Sequence, residues 1–258
     1  MSARRISETA SRREHPYSED MTESEIERGT SAILAGYEHS KPAGALLVGI
    51  SGIDGSGKGY VTREIVSRLE GSGVRTVAVH VDGWLTLPEV RFSRKRPGER
   101  FYEKALRLDE MFRTLILPLK RDRSIRLLAD FAEETATSYR PHVYQYDDVE
   151  VIALEGIYIF KHGYRGYFDL RIWIDCCFET ALARAMTRAQ EGLSPEETVS
   201  AYRTVYFPAQ EIHFERDDPK GSAHLVLSND EVTSWSRVRT SRMLRSERPC
   251  VVTSRDQS

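Results

Sequence analysis

The sequence lacks any apolar run that approaches the roughly 20 residues needed to cross a bilayer. Its charged first residues are not followed by an apolar segment, so we expect no secretory signal and predict a cytoplasmic protein. Cysteine is scarce as well, and Cys176, Cys177 and Cys250 suit neither a disulfide framework nor a metal site. Buried or incidental thiols in a reducing compartment are therefore predicted.

A large charge of either sign is also missing, since the formal net charge is −2 over 258 residues. We therefore expect neither general affinity for nucleic acid nor attraction to anionic membranes, and a small molecule is the predicted partner. The length suffices for one large α/β domain with extensions, and assembly into a homo-oligomer stays open.

What the chain does have is a glycine-rich motif, in which Gly52, Gly57 and Lys58 follow the spacing G-x-x-x-x-G-K. An apolar run over 45–50 leads into it, and apolar residues at helical spacing follow it (Val61, Ile65 and Leu69). A strand, a loop and a helix are the context in which this motif binds phosphate. The alternative is a glycine-rich turn that only connects two elements. The sequence therefore predicts a nucleoside triphosphate site.

The residue types of the motif suit phosphate for physical reasons. Glycines let backbone N–H groups converge on phosphate oxygens, and the N-terminus of the following helix adds partial positive charge. Lys58 can reach the terminal phosphates as a point charge. The residues predicted to contact the nucleotide are Gly52, Asp54, Gly55, Ser56, Gly57, Lys58 and Gly59.

The chain divides into three predicted regions. Residues 1–44 form an N-terminal extension with a disordered start and a short helix, 45–230 form the main domain, and 231–258 form an Arg- and Ser-rich tail. Within the main domain, strand patterns lie over 46–51, 75–81, 125–129, 151–154, 170–174 and 224–227, and helical patterns over 57–70, 102–117, 178–190 and 195–214. The alternation favours an α/β fold with a parallel sheet covered by helices on both faces.

Polar residues at the carboxyl ends of strands are the candidates for chemistry, because ligands of such sheets bind there. Asp82 follows the second predicted strand and Glu155 ends a later one. One carboxylate can accept the proton of an attacking hydroxyl and the other can organise Mg²⁺. The alternative makes both of them helix caps or turn residues. His80 shares the face of Asp82 by alternation, yet a hydrogen-bonded core histidine is favoured for it.

Several motifs together resemble the uridine kinase and phosphoribulokinase family of P-loop kinases, to which pantothenate kinase is related. They are the glycine loop, Val81-Asp82-Gly83-Trp84, Leu154-Glu155-Gly156-Ile157 and an arginine-bearing helix, in the family's order over about residues 46–230. The resemblance implies a three-layer α/β P-loop NTPase sandwich, with a mainly parallel five-stranded sheet and a small lid. It also implies ATP and Mg²⁺ as cofactors.

The resemblance assigns roles to particular residues. Asp82 would be the base toward the acceptor hydroxyl, and Glu155 would correspond to the family's glutamate, with a role at the metal. The lid arginines would be Arg184 and Arg188, which lie at i and i+4 and so share one helix face, able to point together at a triphosphate. A solvated basic face is the alternative for this pair. Lys58 completes the predicted catalytic set.

Three features depart from the family's pattern. Gly59 stands where most P-loop proteins have a Ser or Thr that ligates Mg²⁺, although adenylate kinases share the Gly-Lys-Gly sequence. At the acceptor end, Asp130 and Phe131 match uridine kinases, but the family's preceding tyrosine and following histidine are replaced. The loop after Asp82 is basic, and it either holds a phosphorylated or carboxylated acceptor or is solvated. Its basic residues are Arg91, Arg94, Lys95, Arg96 and Arg100.

Two further segments are interpreted with the acceptor in mind. The polar stretch over 130–140 reads as a loop of the acceptor pocket, because a loop of this length in a compact domain is usually functional. The aromatic residues over 206–215 read as core residues of the helix after the lid.

The leading hypothesis is an ATP-dependent, Mg²⁺-assisted kinase for a small hydroxyl acceptor, similar to uridine kinases. Kinases for a phosphorylated sugar or a pantothenate-like alcohol remain alternatives, as does a nucleotide-binding regulatory protein without transfer chemistry. A GTPase-like switch is disfavoured because the sequence has no N-K-x-D motif.

Overall fold

The computed structural model describes residues 23–40, 43–188 and 192–230. The predictions for the first 20 residues and for the tail from 231 lie outside these residues. The main sheet has five parallel strands in the order β2-β5-β1-β6-β7, which confirms the predicted fold class. The described residues form seven strands, numbered in chain order, and β3 and β4 lie outside this sheet. The five strands of the sheet are β1 (Leu46–Gly52), β2 (Thr76–His80), β5 (Val151–Glu155), β6 (Leu170–Asp175) and β7 (Leu225–Ser228).

One face of the sheet packs against α1 (Glu23–Ser40) and α2 (Lys58–Gly71). Leu46, Val48 and Ile50 of β1 lie in one core cluster with the apolar residues of these two helices. Because successive strand residues point to opposite faces, Leu47 of β1 belongs to a second cluster on the other side. The predicted N-terminal helix is therefore present and packs on the sheet domain.

The other face is covered by α5 (Leu108–Met111), a π-helical turn (Phe112–Ile116) and α6 (Leu117–Asp122). Before them come α3 (Pro88–Arg91) and α4 (Pro97–Lys104), and α4 packs in a separate cluster with the C-terminal helices. The prediction of one helix over 102–117 is wrong, because α4 ends at Lys104. The next residues bond to the chain after β2 instead: Thr86 N donates to the Ala105 carbonyl, and Arg107 N donates to the Trp84 carbonyl, each at 2.9 Å. Backbone groups used in this way cannot continue a helix.

The C-terminal helices are α7 (Phe178–Arg188), α8 (Pro195–Ala201), a second π-helical turn (Tyr202–Tyr206) and α9 (Phe207–Asp217). The predicted helices over 178–190 and 195–214 are present in the part of the chain that is described. Each π turn comes just before a proline, Pro118 or Pro208, in the following helix. A proline has no N–H for the helix ladder and its ring crowds the preceding turn, so a widened turn accommodates it.

A separate antiparallel hairpin consists of β3 (Ile125–Phe131) and β4 (Arg140–Tyr146). The prediction that the strand over 125–129 belongs to the alternating parallel sheet is therefore wrong, and β4 was not predicted. Only eight residues, 132–139, join the two strands. A parallel pairing needs a longer crossover, so a connection of this length returns the chain antiparallel. Among the described helices, none is both long and apolar enough to cross a membrane.

Candidate active site

A cavity of about 690 Å³ lies at the carboxyl ends of the parallel strands. The glycine loop and the start of α2 line one side, and the ends of β2 and β5 line its base. The hairpin, α4 and α9 enclose the other side. One cavity therefore joins the predicted phosphate site to the predicted acceptor region.

The glycine loop has the backbone that a phosphate cradle needs. Gly55 and Gly57 have φ of 77° and 85°, which few L side chains adopt. A Cβ at Gly55 would lie 2.5 Å from the Ala181 carbonyl oxygen, so space excludes a side chain as well. Helix α2 begins directly after Gly57 without a side-chain cap, which leaves its first N–H groups to an anion. These residues fit a triphosphate.

Asp54 and Lys58 place opposite charges in the cavity beside this loop. The Tyr202 hydroxyl donates to Asp54, and Arg188 lies 3.8 Å from the same carboxylate. Burial raises the pKa of Asp54, but Arg188, Lys58 and the Tyr202 hydroxyl outweigh burial and hold that pKa below its ordinary value. Asp54 is therefore an ionised group that holds the lid arginine next to the phosphate loop.

Arg184 and Arg188, predicted to point together at a triphosphate, have different surroundings in this structure. Arg188 lines the cavity, whereas Arg184 does not. Arg184 donates to the Asn229 carbonyl at 2.9 Å and to the Ser56 carbonyl at 3.3 Å, and Asn229 Nδ2 donates to the same Ser56 carbonyl at 2.7 Å. Packing of α7 and of the chain after β7 thus draws Arg184 behind the loop, where it fixes the backbone.

Two residues of the predicted loop set are not exposed in the cavity. Gly52 ends β1, where a Cβ would lie 2.6 Å from Ser56 Oγ. Ser56 is fully buried. Asp54, Gly55, Gly57, Lys58 and Gly59 do line the cavity.

Glu155 lies at the base of the cavity between two basic side chains. Its Oε2 is 2.7 Å from His80 Nδ1, and its Oε1 is 3.9 Å from Lys58 Nζ. The parallel register of β2 and β5 places His80 directly beside Glu155. The bond to Glu155 raises the pKa of His80. The expectation of a core histidine is wrong, because the His80 side chain is 50% exposed and lines the cavity.

Asp82 lies in a single 3-10 turn (Val81–Gly83) that follows β2 at once. Asp82 is exposed and lines the cavity, which Lys58 and the glycine loop also line. The surrounding protein and the negative charge of Glu155 raise the pKa of Asp82, and Lys58 partly offsets them. Asp82 is therefore a more basic carboxylate than an ordinary aspartate, and it shares a cavity with the phosphate loop.

The residues near Glu155 suit a hydrated Mg²⁺ rather than a closed metal cage. In the described part of the chain, no cluster of three His, Cys, Asp or Glu side chains could enclose a metal. A Cβ at Gly59 would have Glu155 Oε2, at 4.0 Å, as its nearest neighbour. The position therefore opens toward this carboxylate without a hydroxyl of its own. Mg²⁺ keeps several waters and commonly uses one or two carboxylates with substrate phosphates, which this site can provide.

The acceptor side of the cavity is aromatic and acidic. Phe131, His142 and Tyr144 form a row across the hairpin, with ring centroids 5.0 and 4.5 Å apart. Residues two apart on β4 share a face, and Phe131 lies on the diagonal across the strand pair. Glu133 and Glu134 at the hairpin connection also line the cavity. The sequence signal was the alternation in His-x-Tyr-x-Tyr at 142–146, which predicts a strand with one aromatic face.

The basic loop, for which the sequence left open either contact with a charged acceptor or solvation, does not line this cavity. Arg91 is 1% exposed and donates to the carbonyls of Thr86 and Glu134. Arg100 donates to the Val90 carbonyl at 2.6 Å. The remaining basic residues, Arg94, Lys95 and Arg96, are exposed and do not line the cavity. Burial of Arg91 orders the loop and directs the rest outward.

The fold and the loop define a P-loop NTPase of the kinase type, because the glycine loop follows the central strand of a five-stranded parallel sheet. The chain belongs to the Phosphoribulokinase / Uridine kinase family, whose model matches residues 47–209. It is 25% identical over 167 residues to a uridine kinase of Staphylococcus aureus (strain JH9), which covers 63% of this chain and 78% of that protein.

Solved structures share the fold. One is a possible uridine kinase from Bacillus stearothermophilus, with a TM-score of 0.64 and 20% identity over 79% of this chain and 97% of that chain. Another is a D-glycerate 3-kinase from Cryptococcus neoformans var. grubii, with a TM-score of 0.53 and 14% identity over 72% of this chain and 87% of that chain. The fold therefore accompanies more than one acceptor, and the site must decide between them.

Proposed function

We propose that this chain is an ATP-dependent kinase that phosphorylates a hydroxyl of an uncharged small molecule, with a nucleoside as the acceptor in the manner of uridine kinases. One observation carries the proposal: Lys58 and Asp82 line the same cavity, which continues into an aromatic acceptor side. A cytoplasmic location is part of this proposal.

In the proposed reaction, the loop N–H groups and Lys58 hold the terminal phosphates. Arg188 leaves Asp54 and neutralises charge on the transferred group. Asp82 accepts the proton of the acceptor hydroxyl, and its raised pKa makes it a stronger base than an ordinary carboxylate. Positioning and charge stabilisation supply most of the rate.

Mg²⁺ would be held by Glu155 through water and by the phosphates. When bound, it would withdraw charge from the phosphate oxygens. His80 fixes the Glu155 carboxylate through the 2.7 Å contact, which orients it toward the open position at Gly59. The absence of a hydroxyl at residue 59 is therefore compatible with transfer chemistry.

The charges of the cavity support an uncharged acceptor. Among the described residues, the Lys and Arg side chains that line the cavity are Lys58, Arg63 and Arg188. The first two belong to α2 and the third to α7. The hairpin contributes Glu133 and Glu134 instead, which would repel a phosphate or carboxylate. Aromatic rings beside these carboxylates suit a planar, neutral group. A phosphorylated sugar, glycerate or pantothenate fits less well.

An acceptor screen tests the proposal. Purified protein is incubated with ATP and Mg²⁺ and with uridine, cytidine, a phosphorylated pentose, pantothenate or glycerate, and ADP release is measured. We expect release with a nucleoside and background rates with the anionic compounds. Preference for an anionic acceptor would overturn the assignment. Tight ATP binding without turnover of any acceptor would favour a nucleotide-binding regulatory protein.

A further inference from the structure

Two polar side chains in the wall of the cavity have no hydrogen-bond partner within the described part of the chain. They are the Tyr158 hydroxyl and the side-chain amide of Gln210, and each residue is 1% exposed. Both line the cavity. By contrast, Thr62 and His213, whose buried Oγ1 and Nε2 also have no partner among the described residues, do not line it.

Both residues lie in segments that the surrounding structure holds in place. Tyr158 has a φ of 59°, and its ring packs edge-on against Tyr102 and His213 at 5.5 and 5.3 Å between centroids. Gln210 lies on α9, whose last residue, Asp217, accepts bonds from Tyr102 at 2.6 Å and His213 at 2.8 Å. The same network therefore holds α9, which carries Gln210, against α4 and packs the Tyr158 ring.

Leaving a buried amide without a partner is unfavourable for the free protein. No hydrogen bond offsets the free energy that the amide loses when it leaves water. An apolar side chain of the same shape would be better tolerated there. Native proteins pair nearly all buried polar groups, so an unpaired group in a cavity wall points to a ligand. An amide side chain offers a donor and an acceptor next to each other, and a phenol can serve as either.

We propose that Gln210 and Tyr158 select the acceptor by hydrogen bonding to a neutral group with a donor and an acceptor side by side. This deepens the proposed function and rests on it. Two parts of a nucleoside have that chemistry, the vicinal hydroxyls of the ribose and the ring amide of the base. A site built to bond such a group discriminates strongly against an analogue that lacks it, because its own polar atoms then stay unpaired.

Thermal stability tests the proposal without any acceptor. If Gln210 is kept for a ligand, Gln210→Met removes an unpaired amide, and we expect the Tm of the free protein to rise by about 2–8 °C. Tyr158→Phe should leave Tm unchanged or raise it. The matched control is Gln145→Met on the exposed outer face of β4, which should leave Tm unchanged. A lower Tm for Gln210→Met would show a structural amide and overturn the proposal.

Turnover then identifies the group that is recognised. We expect Gln210→Met to lower kcat/KM for uridine by about 10- to 100-fold, with kcat/KM of the Gln145→Met control unchanged. If the ribose hydroxyls are bonded, the kcat/KM of the wild-type protein should be about 10- to 100-fold lower for 2′-deoxyuridine than for uridine. If the ring amide is bonded, the same decrease should occur with 3-methyluridine. For the analogue that lacks the recognised group, Gln210→Met and wild type should have equal kcat/KM values. A kcat/KM for uridine within twofold of wild type would overturn the proposal.

Failure of the proposed function gives a different result. In that case wild-type protein would turn over no nucleoside, and uridine would not shift its Tm. The change of Tm in Gln210→Met would still decide whether the amide serves a ligand or the fold.

Discussion

The two sides of the cavity differ in how the chain builds them. The phosphate side comes from one continuous segment, in which β1, the glycine loop and α2 follow each other directly. The acceptor side is assembled from the hairpin, α4 and α9, which lie far apart in the chain. The first side consists mainly of backbone N–H groups and one lysine, whereas the second consists of aromatic, acidic and amide side chains.

The difference teaches where specificity lies in this molecule. A triphosphate is recognised by backbone geometry, which a short motif encodes. An acceptor is recognised by side chains, which tertiary packing must bring together. Mutations on the phosphate side should therefore affect turnover of every acceptor, and mutations on the acceptor side should affect the choice of acceptor.

The largest effect is expected at Asp82, where the two sides meet. Asp82→Asn should lower kcat by about 1,000-fold, because a general base contributes a factor of this order, while the Kd for ATP stays near wild type. The control is Asp130→Asn, on the exposed face of β3, with an expected kcat near wild type. Acceptor phosphorylation near the wild-type rate would show that Asp82 is not the base.

The raised pKa of Asp82 adds two pH-dependent results. Activity should rise with pH through a pKa above 3.8, as the carboxylate loses its proton. Because the folded-state pKa is raised, the protonated form stabilises the fold below 3.8, and this contribution is lost as pH rises through the folded pKa. Asp82→Asn should therefore have a higher Tm than wild type near neutral pH. An equal or lower Tm there would contradict the direction of the shift.

The two arginines on α7 provide the next test. Arg188→Ala should lower kcat by about 100-fold, because a cavity-lining cation is lost from the transferred group. Arg184→Ala should leave kcat within a few-fold and raise the KM for ATP, because the Ser56 carbonyl loses one of its donors. Steady-state kinetics with ATP varied at a saturating acceptor separates the two outcomes. Equal losses of kcat would mean that both side chains reach the phosphates.

Packing of the acceptor side is tested at Tyr102. Its hydroxyl donates to Asp217 at 2.6 Å and so joins α4 to α9. Tyr102→Phe should lower the free energy of unfolding by about 2 kcal/mol, since a hydrogen bond to a charged group is lost. It should also raise the KM for the acceptor while the Kd for ATP is unchanged.

Chemical denaturation and calorimetric ATP binding would measure both effects at Tyr102. Tyr167→Phe, an exposed tyrosine, is the control and should match wild type. A loss of ATP affinity in Tyr102→Phe would mean that the two sides of the cavity are not separable.

The smallest effect is expected at Gly59. Gly59→Ser places a hydroxyl in the open position near Glu155, so the Mg²⁺ concentration for half-maximal activity should fall by a few-fold. The matched control is Gly71→Ser, at an open position at the other end of α2. This substitution should leave the Mg²⁺ concentration for half-maximal activity unchanged. A higher Mg²⁺ requirement in Gly59→Ser would show that the glycine is needed for close approach.

Local patterns account for most of the successful predictions. The G-x-x-x-x-G-K motif between an apolar run and a helical pattern predicted the loop, and the run before Glu155 predicted a buried strand. These elements depend on contacts between residues close in the chain or on continuous apolar runs. The strand β4 was missed because the polar stretch over 130–140 before it indicated a loop, although the alternation at 142–146 is typical of a strand.

Arginine positions show what a local pattern cannot predict. The spacing of Arg184 and Arg188 predicts that they share one helix face. Of these two residues, Arg188 lines the cavity and Arg184 does not. Asn229 lies 45 residues after Arg184 and draws it behind the loop. Arg91 belongs to the basic loop for which the sequence left open an acceptor or solvent, yet it is buried and donates to the carbonyls of Thr86 and Glu134. A long charged side chain takes whichever partners the packing brings near it.

The sequence by itself determined the phosphate loop, the α/β sheet and the two carboxylates at strand ends, because these follow from short-range spacing and strand direction. Only the tertiary structure decided which basic residues line the cavity and that His80 bonds Glu155. It also decided that Tyr158 and Gln210 lie in the wall without a hydrogen-bond partner among the residues that the structure describes. These arrangements depend on contacts between segments far apart in the chain, and no local pattern carries that information.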